Sequence, residues 1–151
     1  MKKILILFFG LAGLSLFPQS LNPAYSKTLA DSLGADDYGM KKYVLVMLKT
    51  GKSTMDNKAK KDSLFAGHMK NMLRLVEMGK LVVAGPLKKN DNHYQGIFIL
   101  NVKTKEEASA LLLSDPAISA ELLDPELYEW YGSAGLAMYL KYHDKVKKKN
   151  F

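Results

Sequence analysis

LFAGHMKNMLRLVEMGKLVVAGPLKKNDNHYQGIFIL, residues 64–100, changes its hydrophobic period twice. Leu64, Phe65, Met69, Met72, Leu73 and Val76 recur at the spacing of one helix face, which predicts a helix over 60–80. Gly79 supplies the stop. Leu81-Val82-Val83-Ala84 then reads as a strand closed by Gly85-Pro86. Residues 88–93 are polar, and Gln95 to Val102, with Ile97-Phe98-Ile99-Leu100, is a further strand. Two strands around one polar turn predict a hairpin.

Working outward, Tyr43 to Leu48 is a continuous apolar run with β-branched residues, which predicts a strand over 41–49 buried on both faces. A polar loop over 50–58 follows it. Beyond the hairpin, Thr104 and Glu107 make a capping box for a second helix whose apolar face is Ala108, Leu111 and Leu112. Ser114-Asp115-Pro116 ends that helix and opens another short turn. Leu127 to Tyr131 reads as a fourth strand, and Gly132 to Val146 as a final helix. The order βαββαβ plus a C-terminal helix predicts an α+β, ferredoxin-like domain with its main helices on one face of an antiparallel sheet. The other face of the first strand, with Tyr43, Leu45 and Met47, then needs a cover. The C-terminal helix or a second subunit could provide it. A homodimer is the expectation, because two-fold dimers are the commonest oligomers.

Lys2 and Lys3 precede an apolar run from Ile4 to Phe17, then Pro18. A basic start and an apolar run too short to span a bilayer match a secretory signal peptide. Ala24-Tyr25-Ser26 places small residues for a cut before Lys27, and Thr28-Leu29-Ala30 offers a second site. The expected division is a signal peptide at 1–26, an arm or linker at 27–40, a folded domain at 41–146 and a basic tail at 147–151. The implied location is periplasmic or secreted, with no stable membrane anchor after cleavage.

The net charge of +7 suggests a polyanion partner at first sight. Its distribution argues otherwise. Lys2 and Lys3 leave with the signal, and residues 141–151 hold five lysines against Asp144 alone. The remaining 15 basic and 14 acidic side chains nearly cancel. Arg74 is the only arginine, so a nucleic-acid-reading face is not expected. With no cysteine the chain has no disulfide, thiolate nucleophile, thiolate-held metal or lipid-bearing cysteine.

Few residues carry obvious chemistry. Gly51-Lys52-Ser53-Thr54 follows a strand, but a phosphate-binding loop needs a glycine where Val46 stands. His93 and His143 fall in polar surroundings. His68 sits four residues after Leu64 and four before Met72, on or beside the apolar stripe. Such a histidine is either a satisfied core residue or a general acid–base group with an orienting partner. No second histidine or carboxylate at helical ligand spacing accompanies it, so no metal and no cofactor are expected. Asp115-Pro116 and Asp124-Pro125 both fit the N-cap and first position of a helix.

Taken together, residues 65–87, with His68 on a helix and Gly79-Lys80-Leu81 leading into Ala84-Gly85-Pro86, resemble the YCII-related family. Gly96-Ile97-Phe98-Ile99 and Ser114-Asp115-Pro116-Ala117 resemble its next strand and its Asp-Pro motif. The resemblance covers about 41–131. It implies a dimeric α/β-barrel type of ferredoxin-like fold. It also implies an active centre made of His68 and Asp115, with Gly85 and Pro86 lining the ligand pocket. Lyase or isomerase chemistry on a small, cyclic or phenolic molecule suits such a pair. The alternatives are a non-catalytic small-molecule-binding module and a dimeric interaction protein without a pocket. The chain departs from the family pattern in its export segment, in its C-terminal extension, and in Leu122-Leu123-Asp124-Pro125, where a glycine often follows the Asp-Pro turn.

Overall fold

The strand Met40–Thr50 (β1) is the centre of the architecture, because its alternate side chains face two different environments. Val44, Val46 and Leu48 are buried, while Leu45 and Met47 are only half-buried. In the computed structural model, which describes residues 22–149, β1 is flanked by Tyr94–Leu100 (β3) and Leu123–Ser133 (β4). Leu81–Pro86 (β2) lies outside β3, giving the antiparallel order β2-β3-β1-β4. Lys58–Glu77 (α2), Lys105–Leu112 (α3) and Pro116–Ser119 (α4) cover one face. Leu75, Ala108, Leu112 and Ala117 from these helices join Val44, Val46, Leu48, Phe98 and Leu100 in one core. This is the ferredoxin-like α+β arrangement, of the dimeric α/β-barrel type.

Four local readings differ from the structure. Lys27–Leu33, expected to lie in an arm or linker, forms a helix (α1) capped by Ser26 and closed by Gly34 at φ 68°. Its residues are largely exposed, so no apolar stripe announced it. The Asp36 carboxylate accepts from the Tyr131 hydroxyl, which ties this segment to β4. Second, β4 begins at Leu123, so Asp124-Pro125 lies in a strand and caps no helix. An edge strand tolerates proline because its outward N–H has no ladder partner to lose. Third, Gly132 and Ser133 still belong to β4. A 3₁₀ turn, Ala134–Tyr139, and a short helix, Leu140–Val146 (α5), replace the single C-terminal helix.

The fourth difference concerns α2. His68, Asn71 and Leu75 are its buried positions. Phe65, Met69, Leu73 and Val76, four of the six residues expected to face the sheet, are 36–54% exposed. Periodicity marks adjacent stripes on one helix but does not choose between them. Here two polar residues take the inward stripe because a buried carboxylate satisfies them.

The 3₁₀ turn covers one end of the sheet's second face. Tyr43 is fully buried there, and its hydroxyl donates to the Ser133 carbonyl at 2.9 Å. The Tyr139 hydroxyl donates to the Val82 carbonyl. Leu45, Met47, Ile97 and Ile99 lie further along that face and remain partly open.

Candidate functional site

Asp115 is fully buried and is the N-cap of α4, with Pro116 in the first helical position. Its Oδ1 accepts from the Ala117 and Ile118 amides at 3.0 and 3.3 Å. A cap of this kind contributes about 1 kcal/mol to a helix start. That leaves Oδ2 directed away from α4. Asn71 Nδ2 donates to it at 3.2 Å, and His68 Nδ1 lies 2.8 Å from it. A carboxylate only accepts, so Nδ1 carries the proton, and in the neutral ring Nε2 keeps its lone pair. Burial pushes the Asp115 carboxyl up. The hydrogen bond and charge of His68, with help from Asn71 and the Ile118 amide, outweigh that and hold it below the usual carboxylate value.

Packing fixes the imidazole as well. Its ring is stacked on Phe98 with centroids 5.8 Å apart, and Phe65 meets it edge-on at 6.3 Å. Nε2 has no partner among the described residues, and no buried side-chain nitrogen or oxygen is unsatisfied. Nε2 is therefore the ring atom that solvent or a ligand can reach. The arrangement is an oriented imidazole with one anchored and one free nitrogen, which is the geometry of a general acid–base group.

Asn71 and Arg74 were not singled out in the sequence. Arg74 Nε and Nη2 donate to Asn71 Oδ1 at 3.2 and 2.8 Å. Nη2 also donates to Ser114 Oγ at 2.7 Å, and that hydroxyl lies 3.1 Å from Asn71 Oδ1. These donors settle which end of the Asn71 amide is oxygen, and so aim its NH₂ at Asp115. The available signal was an asparagine three residues after His68 on a helix, a polar residue at a core-facing spacing.

Gly85 and Pro86 end β2 beside this region but face opposite ways. Pro86 pairs with Gly96 and Gly85 with Ile97, whereas the ring under His68 belongs to Phe98. Pro86 thus shares the sheet face of His68, and Gly85 points to the other. A Cβ on Gly85 would meet nothing within 4 Å. His93 and His143 are exposed and join no cluster. Among the described residues, no three His, Asp or Glu side chains form a metal-binding group.

Gly51 has a structural reason for being glycine. An added Cβ would lie 2.0 Å from the Glu121 carbonyl oxygen, where the loop after β1 crosses the α4–β4 turn. A cleft of about 400 Å³ opens there, lined by Lys49, Lys52, Ile118, Glu121 and Asp124. Neither His68 nor Asp115 lines it.

The fold and the paired side chains together define a ferredoxin-like α+β domain with a buried His–Asp pair under its helix layer. A profile of the YCII-related domain matches residues 42–131, well over half of the chain, and the chain belongs to the YCII-related domain family. No curated protein matches it. Among solved structures it is similar to a 5-chloro-2-hydroxyhydroquinone dehydrochlorinase from Burkholderia phenoliruptrix, in complex with 2,5-dihydroxybenzoquinone. Identity is 16% and the TM-score is 0.43, over 58% of this chain and 92% of that one.

Proposed function

We propose that this chain is an exported enzyme of the YCII-related family, using His68 as general base and acid in lyase- or isomerase-type chemistry on a small molecule. The observation that carries this reading is the 2.8 Å contact between His68 Nδ1 and Asp115 Oδ2, with Nε2 left free. Nε2 takes a proton from a carbon or hydroxyl made acidic by an adjacent carbonyl or ring. The electron pair left behind either expels a leaving group from the next atom or is reprotonated elsewhere by the imidazolium. Asp115 keeps its negative charge and stabilises the cation formed. Phe65, exposed beside the imidazole, suits a planar, cyclic or phenolic substrate.

The test is a panel of enolisable and phenolic compounds in D₂O, followed by proton NMR for elimination or for deuterium entering the compound. Turnover that falls at least a hundredfold in His68→Gln is the expected result. A compound that binds equally well to the parent and to His68→Ala, with no turnover by either, would instead establish a binding module.

Two further parts of the reading concern location and assembly. Residues 1–26 act as the export signal. A cut before Lys27 keeps Lys27–Leu33 in one piece but removes its Ser26 cap, whereas a cut after Ala30 divides the helix. The mass of the protein recovered from its host decides between them. The partly open face holding Leu45, Met47, Ile97 and Ile99 supports a homodimer packed sheet to sheet. Sedimentation at twice the monomer mass, lost on Ile99→Glu, is expected.

A further inference from the structure

The C-terminal segment differs from the rest of the domain in both charge and exposure. Every residue from Lys141 to Lys149 is exposed. The span holds Lys141, Lys145, Lys147, Lys148 and Lys149 against a single acid, Asp144, which pairs with Lys147. Apolar side chains lie among these lysines: Tyr142 is 54% exposed and Val146 is 79% exposed, with Met138 at 38% in the preceding turn. At 100° per residue, Tyr142 and Val146 point the same way, with Lys141 and Lys145 beside them. Asp144 falls on the opposite half of the helix. Leu140, which is half-buried, takes the side toward the protein body, and Tyr139 in the preceding turn is held by its bond to Val82. Lys141 and Lys145 ammonium groups sit 4.9 and 6.0 Å from the centre of the Tyr142 ring.

We propose that this segment docks the protein on a bilayer surface rich in anionic phospholipid. The charge complementarity is local. Four of these lysines have no acidic partner among the described residues, while the body is close to neutral. Lysines at the phosphate level, with a tyrosine and a valine directed between headgroups, are the composition of an interfacial contact. A nucleic acid is disfavoured because the segment has no arginine, and because its exposed apolar side chains would gain nothing on a phosphate backbone. No helix among the described residues is long and apolar enough to cross a membrane, and the contact proposed is a peripheral one. Because it draws on counter-ion release and a few lysines, it weakens with salt.

The test is flotation of the full chain with vesicles of phosphatidylcholine alone or with 30% phosphatidylglycerol, in about 0.1 M and 0.5 M salt. Any contribution of residues 1–26 is common to all arms. At least tenfold tighter binding to the anionic vesicles is expected, and it is lost at the higher salt. Replacing the five lysines by glutamine should abolish the preference. Tyr142→Ser with Val146→Ser should weaken anionic-vesicle binding by three- to tenfold without changing the thermal midpoint. Equal binding to both vesicle types, or an unchanged preference in the lysine variant, overturns the proposal. So does duplex DNA binding as tight as vesicle binding with no effect of the Tyr142/Val146 pair, which would show a plain polyanion site.

Discussion

Gly67 on α2 and Pro116 at the start of α4 approach so closely that a Cβ on Gly67 would lie 2.7 Å from Pro116 Cγ. Their chain neighbours are His68 and Asp115, so this approach sets the spacing of the pair. Gly67→Ala gains about 1 kcal/mol of helix propensity. It loses about 1–3 kcal/mol to overpacking against a ring that can give way only by moving α4. A net loss of stability of up to about 2 kcal/mol is expected. The His68 Nδ1 proton, shifted downfield in the NMR spectrum by its carboxylate bond, should move upfield. A more stable variant with that proton unmoved would contradict the packing account.

Asp115→Asn should separate capping from tautomer control. An asparagine oxygen can still accept from Ala117 and Ile118, so α4 keeps its start. The NH₂ then faces His68 Nδ1 and the Asn71 NH₂, two groups placed to donate. The expected response is a switch of the imidazole to the Nε2–H tautomer, read from ¹⁵N shifts. A stability loss of about 1–3 kcal/mol accompanies the mismatched donors.

Acid should act on the same residue. The Asp115 carboxyl is held below its ordinary 3.8 in the folded protein, so the unfolded chain takes up the proton first as pH falls. Its contribution is therefore complete above 3.8 and is lost as pH drops below that value toward the folded pKa. Urea midpoints at pH 5 and pH 3 should fall more for the parent than for Asp115→Asn. Equal falls would mean that other carboxylates, such as Glu126 beside Lys49, carry the acid sensitivity.

Asn71 links the exposed Arg74 to the buried pair. Asn71→Leu removes a donor from Asp115 Oδ2 and should reduce stability by about 1–2 kcal/mol. Arg74→Gln should change it by less than about 1 kcal/mol, since water can replace an exposed guanidinium. Both should broaden the His68 ring signals, Asn71→Leu more strongly. The reverse order would show that Arg74 acts on the site by some other route.

The loop crossing at Gly51 gives opposite effects on its two sides. Gly51→Ala places a Cβ inside the Glu121 carbonyl and should destabilise by about 3 kcal/mol or more. Glu121 itself has φ 55°, a left-handed conformation that glycine adopts freely. Glu121→Gly should therefore stabilise by about 1 kcal/mol. Thermal midpoints of the two variants check both signs.

The hairpin from Leu81 to Leu100 and the capping box at Thr104 were legible because their signals are local. Alternating or β-branched runs, a polar turn and an N-cap hydroxyl act within a few residues of one another. The helix α1 was not legible, since its support is a cap at each end and no apolar stripe. The inward face of α2 was not legible either. Leu64, Phe65, Met69 and Leu73 are all apolar enough to face a sheet, and only the place of Asp115 in space lets His68 and Asn71 turn inward instead.

By itself the sequence determined the order of the main elements and the βαββαβ topology that order permits, while its resemblance to the YCII-related family pointed to His68 and Asp115. Short-range periodicity and capping are encoded along the chain, and so they can be read there. Only the tertiary structure decided that His68 Nδ1 meets Asp115 Oδ2, that Arg74 and Ser114 orient Asn71 toward the same oxygen, and that Nε2 stays free. The His68–Asp115, Asn71–Asp115 and Ser114–Asn71 contacts join residues more than forty positions apart, and a hydrogen bond over that separation depends on how α2 packs on α4, which no local spacing records.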